Sequence, residues 1–135
     1  MKPALDASVL IATYNRAALL DATLESIARL RMPGRTWEVV VVDNNSRDET
    51  CAVVTRHARD CPVPLRYIRE ARQGRSSALN AGLALVRGTI VAMTDDDVQV
   101  QEGWLAAACD SILASVDPVI RYAGGPVEPM WEAPP

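Results

Sequence analysis

Short apolar runs rich in β-branched residues alternate along this chain with longer stretches in which apolar positions recur every three or four residues. The runs occupy residues 8–12, 38–42, 65–68, 89–93 and 119–122. Val39-Val40-Val41-Val42 is apolar without alternation, the pattern of a strand covered on both faces. After Asn15, a candidate N-cap, the residues Leu19, Leu20, Thr23, Leu24, Ile27 and Leu30 keep helical spacing, and Pro33-Gly34 closes the segment. A second helix opens on Ser46-Arg47-Asp48-Glu49, where the Ser and Glu side chains can satisfy each other's backbone donors as a capping box, and runs to about Arg59. A third is predicted over 76–86, stopped by Gly88 at the usual C-terminal glycine position, and a fourth over about 103–116, ahead of Pro118.

The resulting order, β-α-β-α-β-α-β-α-β, predicts right-handed crossovers and an α/β fold: a mostly parallel open sheet of about five strands with helices on both faces. In such sheets ligands bind outside the carboxyl ends of the strands, so the loops that follow strands are the ones to search. The stretch 126–135 departs from the pattern. Its prolines 126, 129, 134 and 135 exclude regular structure, yet Met130 and Trp131 are poor residues for a solvated linker. With 135 residues, 49% hydrophobic and 23% charged, the expectation is a single domain over 1–135 that is incomplete at its C-terminal end.

Charge narrows the partners. A formal net charge of -3 supplies no positive field to hold a polyanion, so no nucleic acid is expected. Lys2 is the only lysine among 14 basic residues, which disfavours any mechanism built on a central lysine. Cys51, Cys61 and Cys109 form no C-x-x-C pair and read as reduced, buried thiols. The apolar stretch 9–12 is cut short by Thr13-Tyr14-Asn15-Arg16 and suits neither a signal peptide nor a membrane span, so a cytoplasmic location is expected.

Three strand-end loops carry candidate chemistry. Thr13, Tyr14, Asn15 and Arg16 offer a hydroxyl, a ring, an amide and a charge that can hold a heterocyclic base; a capped helix start with a boundary tyrosine explains the same residues. Asp43 can accept a hydrogen bond from the N3–H of a uracil ring, while Asn44, Asn45 and Ser46 suit a tight turn into the next helix. Asp95-Asp96-Asp97 places three carboxylates in succession, costly at a strand end unless a divalent cation or hydrogen-bond donors compensate them. Mg²⁺ or Mn²⁺ takes few carboxylates plus phosphate oxygens, so Asp95 and Asp97 suit a metal-bridged diphosphate. Arg72, Gly74 and Arg75 before the third helix can meet phosphate through charge and free backbone N–H groups; a solvated loop with a serine cap explains the same residues, and Asn80 with Gly82 inside that helix points to close packing or a polar contact. His57 has no acidic or cysteine partner at motif spacing and reads as a surface or satisfied histidine, while Trp37 and Trp104 read as core or rim.

Taken in order, the segment 8–16, the segment 41–50, the segment 74–82 and Asp95-Asp96-Asp97 resemble the family 2 glycosyltransferases of GT-A fold, over about 8–125. The resemblance implies that Thr13 and Tyr14 line a nucleobase pocket, Asp43 binds the base edge, Arg72 and Asn80 support the nucleotide, Asp95 faces ribose and diphosphate, and Asp97 coordinates the metal. It implies inverting transfer of a sugar, from a UDP-sugar by this reading, to an unidentified saccharide, lipid or protein hydroxyl. The family's general base lies in a later segment, so the chain is expected to be a donor-binding half, with its base beyond Pro135, and its parent protein to lie at the inner face of a membrane or in the cytoplasm. An absent second half predicts self-association through an exposed sheet edge.

Two other readings compete. A metal-dependent nucleotidyltransferase or phosphotransferase also uses strand-end carboxylates, but needs a basic or glycine-rich loop that Thr13-Tyr14-Asn15 does not supply. A non-catalytic module that holds a nucleotide sugar without transferring it is the second. The lack of a lysine near the fifth strand excludes a receiver-like domain, and the lack of G-x-G-x-x-G after the first strand excludes dinucleotide binding.

Overall fold

The computed structural model describes residues 4–117 and 122–131. Among the described residues four strands alternate with four helices: β1 (Leu5–Thr13), α1 (Ala17–Ala28), β2 (Trp37–Asp43), α2 (Thr50–Asp60), β3 (Leu65–Arg69), α3 (Arg75–Leu83), β4 (Gly88–Thr94) and α4 (Trp104–Leu113). The sheet is parallel throughout, in the order β3-β2-β1-β4. Each strand matches one of the first four apolar runs and outlasts it by one to four residues. The fifth expected strand, 119–122, lies outside the described residues except for its last position. Residues 122–131 hold no helix or strand and are exposed.

Alternation of side chains across the pleat divides the core in two. On one face, Ala7, Val9 and Ile11 of β1 and Val39 and Val41 of β2 meet Leu20, Leu24 and Ile27 of α1, Val54 of α2 and Leu105 and Cys109 of α4. On the other, Leu10, Val40 and Val42 meet Ala78 of α3. All seven residues of β2 are buried, which explains its unbroken apolar run. A fully buried Leu, Ile or Val contributes about 1.5–3 kcal/mol relative to exposure, so these central strands dominate the stability.

Gly82 sits where α3 presses on this second face. A Cβ there would lie 2.4 Å from Leu10 Cδ1 and 2.9 Å from Val42 Cγ2, so close packing accounts for a glycine inside a helix. Gly88 is not a helix terminator as its position predicts. It opens β4, and a Cβ would lie 2.3 Å from backbone atoms of Ala7 and Ser8, so its role is close approach of β4 to β1.

The helix starts also differ from expectation. Arg16 occupies the N-cap position of α1, and Asn15 stands outside the helix with φ 49°. The Ala17 N–H is met instead by Asp48 Oδ2 at 3.0 Å. The capping box does not form, because Ser46 is engaged elsewhere and α2 begins at Thr50, whose N–H and hydroxyl both donate to Asp48 Oδ1. One carboxylate thus serves two helix starts, a long-range solution that local spacing does not reveal. Leu19 lies off the buried stripe of α1 and is exposed. Only Cys109 of the three free thiols is buried; Cys51 is exposed and Cys61 half-buried. Trp37 is buried in the core and Trp104 packs against it.

A charged cluster lies at the opposite end of the sheet from the strand-end loops. Glu38 is fully buried, and its Oε1 accepts the Ser8 hydroxyl and the Arg87 N–H, each at 2.8 Å. Its Oε2 is 3.1 Å from Arg66 Nε, off the line of the N–H, so that contact is an ion pair and not a hydrogen bond. Gly88 N–H donates to Ser8 Oγ at 2.8 Å, and Arg66 also donates to the Leu85 carbonyl. The cluster pins the turn from α3 to β4 onto the sheet, where Glu38 without its partners would be a costly buried charge.

Candidate functional site

The chain leaves β1 toward β2 and β3 on one side and returns to β4 on the other, so the topological switch point lies between the carboxyl ends of β1 and β4. Thr13 ends β1 there, and Asp95-Asp96-Asp97 follows β4. A hydrogen bond from Thr13 Oγ1 to Asp96 Oδ2 at 2.9 Å closes the switch point. Arg16 Nη1 lies 3.3 Å from Asp96 Oδ1 and 3.3 Å from Asp97 Oδ2. From the start of α3, Arg75 Nη2 pairs with Asp95 Oδ1 at 2.5 Å. The three carboxylates therefore have distinct surroundings. Asp96 is buried with both oxygens engaged, while Asp95 and Asp97 remain about half exposed.

The loops after β1 and β2 are interlocked. Asn15 N–H donates to Ser46 Oγ at 2.9 Å, and Arg47 N–H returns to Asn15 Oδ1 at 2.8 Å. Ser46 N–H donates to Asp43 Oδ1 at 2.8 Å, and the Tyr67 hydroxyl donates to Asp43 Oδ2 at 2.5 Å. Burial, and then the neighbouring Asp43 carboxylate, push the Tyr67 hydroxyl far above its ordinary pKa, so it stays a donor. Asp43 is 1% exposed, which places this carboxylate beneath the turn. A base edge meeting Asp43, the role expected of it, would meet a carboxylate whose two oxygens already accept from Ser46 and Tyr67.

Asn44 performs the same service for the loop before α3. Its amide donates to the carbonyls of Glu70 at 3.1 Å and Arg72 at 2.7 Å, and its Oδ1 accepts the Gly74 N–H at 2.9 Å. Gln73 Nε2 closes the loop onto the Asn44 carbonyl at 2.9 Å. Gly74 has φ 124°, a conformation that only glycine adopts freely, and it turns the chain into α3. Arg72 is exposed and lies on Glu70, and its guanidinium holds the Glu70 carboxyl below the usual range. Asn80 is exposed on α3 and joins none of these clusters.

Of the expected residues, Thr13, Arg16, Asp95, Asp96 and Asp97 are brought together directly, with Asn15 and Asp43 behind them in the interlocked loops. Tyr14 presents its ring at the same edge, 48% exposed. Asn44 and Tyr67 carry no signal in the sequence that marks them as site residues. Asn44 is explained equally well by a turn, and Tyr67 by a strand, so their partners emerge only in three dimensions. Arg75 belonged to the loop read as phosphate-binding, and its pairing with Asp95 gives it a defined place. His57 is a satisfied histidine: Nε2 lies 2.5 Å from Asp21 Oδ1, a partner on α1 that motif spacing could not find.

Among the described residues no group of three His, Cys, Asp or Glu side chains is arranged to hold a metal alone. Asp95 and Asp97 offer two exposed carboxylates on alternate positions. That donor set fits a hard cation that takes few carboxylates and completes its shell with phosphate oxygens and water.

Fold and site together define a Rossmann-like α/β domain of the GT-A kind, with an acidic motif at its switch point. The family described as glycosyl transferase family 2 matches residues 8–131, and the chain belongs to that family. It is 34% identical over 100 residues to a beta-monoglucosyldiacylglycerol synthase of a Nostoc species, covering 73% of this chain and 21% of the relative. It is 31% identical over 121 residues to glycosyltransferase AglE of Haloferax volcanii, covering 90% of this chain and 39% of the relative. Among solved structures, the mannosyltransferase PcManGT of Pyrobaculum calidifontis, in complex with GDP-Man and Mn²⁺, superposes with TM-score 0.76 at 34% identity, covering 88% of this chain and 36% of that one. TarS 1-349 of S. aureus with UDP-GlcNAc superposes with TM-score 0.68 at 28% identity, covering 81% and 32%. The chain therefore spans well under half the length of these relatives.

Proposed function

We propose that the strand-end face binds a nucleoside diphosphate sugar with a divalent cation, as the donor-binding part of an inverting glycosyltransferase. The observation that carries this reading is the tie between Thr13 and Asp96 across the switch point. It leaves Asp95, Asp97, Arg16, Arg75 and the Tyr14 ring exposed along one edge. Tyr14 stacks on the base, and Thr13 and Asp43 stiffen the wall behind it. Arg72 and Asn80 support the nucleotide from the α3 side, and Arg75 adds positive charge there. Asp96 holds the acidic motif in place for Asp95 and Asp97, which hold Mn²⁺ or Mg²⁺. The cation, when bound, neutralises charge on the departing diphosphate.

Neighbours solved with GDP-Man and Mn²⁺ and with UDP-GlcNAc support a nucleotide-sugar donor. Uracil is the proposed base. The acceptor is a hydroxyl of a saccharide, lipid or protein, and no residue of this chain is assigned as the base that takes its proton. Among the described residues no helix is long and apolar enough to cross a membrane. A cytoplasmic domain working at the inner face of a membrane is the proposed setting.

Calorimetric titration of UDP and of GDP, with and without Mn²⁺, tests the reading. UDP should bind in a metal-dependent way and Asp97→Ala should abolish it. A folded protein that binds neither nucleotide would overturn the donor-site assignment.

A further inference from the structure

Resting on that reading of the site, the geometry points to Arg16 as a built-in counter-cation that exchanges partners. It holds Asp97 while the divalent cation is away, and turns to the diphosphate once the cation occupies that carboxylate.

The two contacts of Arg16 differ in what their partners can do. The Asp96 side chain is 8% exposed and its second oxygen already accepts the Thr13 hydroxyl, so this carboxylate is fixed. Asp97 is 44% exposed and Arg16 itself 52% exposed, so this pairing opens without uncovering any buried group. Both distances are 3.3 Å, so exposure and the Thr13 hydrogen bond, not length, set the two contacts apart. Asp96 is thus the pivot and Asp97 the arm that lets go.

Charge fixes the order of events. Three carboxylates against the guanidiniums of Arg16 and Arg75 leave the edge one charge negative, which repels a nucleoside diphosphate. A divalent cation on Asp95 and Asp97 turns the edge one charge positive and frees guanidinium groups whose planar fork matches phosphate oxygens. Arg16 therefore competes with the cation before loading and cooperates with it afterwards. A residue that only stabilised the loop would do neither.

The experiment is a titration of Mn²⁺ alone into the wild type and Arg16→Gln, followed by UDP at saturating Mn²⁺, with circular dichroism to verify folding. Arg16→Gln should bind Mn²⁺ about ten-fold more tightly, having lost one competing ion pair and one like-charge repulsion at an exposed site, and should bind UDP about ten-fold more weakly. Arg16→Lys keeps the charge and should hold Mn²⁺ affinity near wild type, which tests the same idea should the glutamine variant fold poorly. Unchanged or weakened Mn²⁺ binding in Arg16→Gln, or a lysine variant that behaves like the glutamine one, overturns the exchange while leaving the donor site standing. A folded wild type that binds neither Mn²⁺ nor UDP overturns the donor site, and the exchange with it.

Discussion

Tyr67→Phe removes one oxygen atom from β3 and tests whether Asp43 orders the strand-end loops. The deleted hydroxyl donates to Asp43 Oδ2 at 2.5 Å, and Asp43 is 1% exposed, so water has no ready path to replace it. Ser46 N–H at Oδ1 is the other hydrogen bond to that carboxylate. A hydrogen bond to a charged group contributes about 1.5–3 kcal/mol, and a buried carboxylate left short of donors stands within that range. The phenyl ring keeps the apolar contacts that Tyr67 makes with the core, so no cavity term is added. The expected loss is about 2 kcal/mol, a sizeable part of the roughly 5–15 kcal/mol that holds a domain folded. Urea unfolding followed by circular dichroism measures it as a lower midpoint at unchanged slope. A double-mutant cycle with Asp43→Asn should return a coupling of about 1–2 kcal/mol, and amide exchange at Asn15 and Ser46 should quicken in either single variant. A loss under about 0.5 kcal/mol, or strict additivity in the cycle, would refute the reasoning, since Asp43 would then be hydrated or the turn held by other means.

Gly88→Ala should cost at least the roughly 1–3 kcal/mol typical of overpacking, because the new Cβ meets unyielding β1 backbone at 2.3 Å, whereas Gly103→Ala, with nothing within 4 Å, should be nearly neutral in the same thermal melt. Asp96→Ala should lower stability by about 1.5–3 kcal/mol by stranding Thr13 and Arg16, while Asp97→Ala, at an exposed carboxylate, should stay within about 0.5 kcal/mol of wild type in urea unfolding and lose metal-dependent nucleotide binding. Acid should destabilise the α1–α2 side. The Thr50 side chain, then the N–H groups of Ala17 and Thr50, hold the Asp48 carboxyl below its ordinary 3.8, and the hydrogen bond from His57, then Arg56, does the same for Asp21. A depressed carboxylate contributes stability that is fully present above its unfolded pKa and lost as pH falls through the folded one. Melting temperature should therefore decline below about pH 4, and Asp48→Asn should flatten that decline.

The fold was legible where pattern is local. The run Val39-Val40-Val41-Val42 marks a buried parallel strand because covering on both faces leaves no position for a polar side chain. The spacing of Leu20, Leu24 and Ile27 marks a helix for the equally local reason that 3.6 residues make a turn. The helix starts depart from local spacing for a physical reason: a cap needs only an acceptor in reach, and here Asp48 reaches α1 from 31 residues away. Gly88 likewise reads as a helix end until the register of β4 against β1 brings two backbones together.

From its sequence alone the chain determined the alternation of strands and helices, the parallel sheet and the edge at which chemistry collects, because each follows from periodicity and from the rule that strand-end loops converge. It also supplied the acidic motif, since three successive carboxylates are costly without compensation. Only the tertiary structure decided which carboxylate is which. Asp96 is buried and bonded, Asp95 and Asp97 are open and paired to arginines, and Asp43 lies beneath a turn with Tyr67. Those distinctions rest on burial and on partners 20 to 83 residues distant, and hydrogen bonds between loops are set by the packing of the strands that carry them.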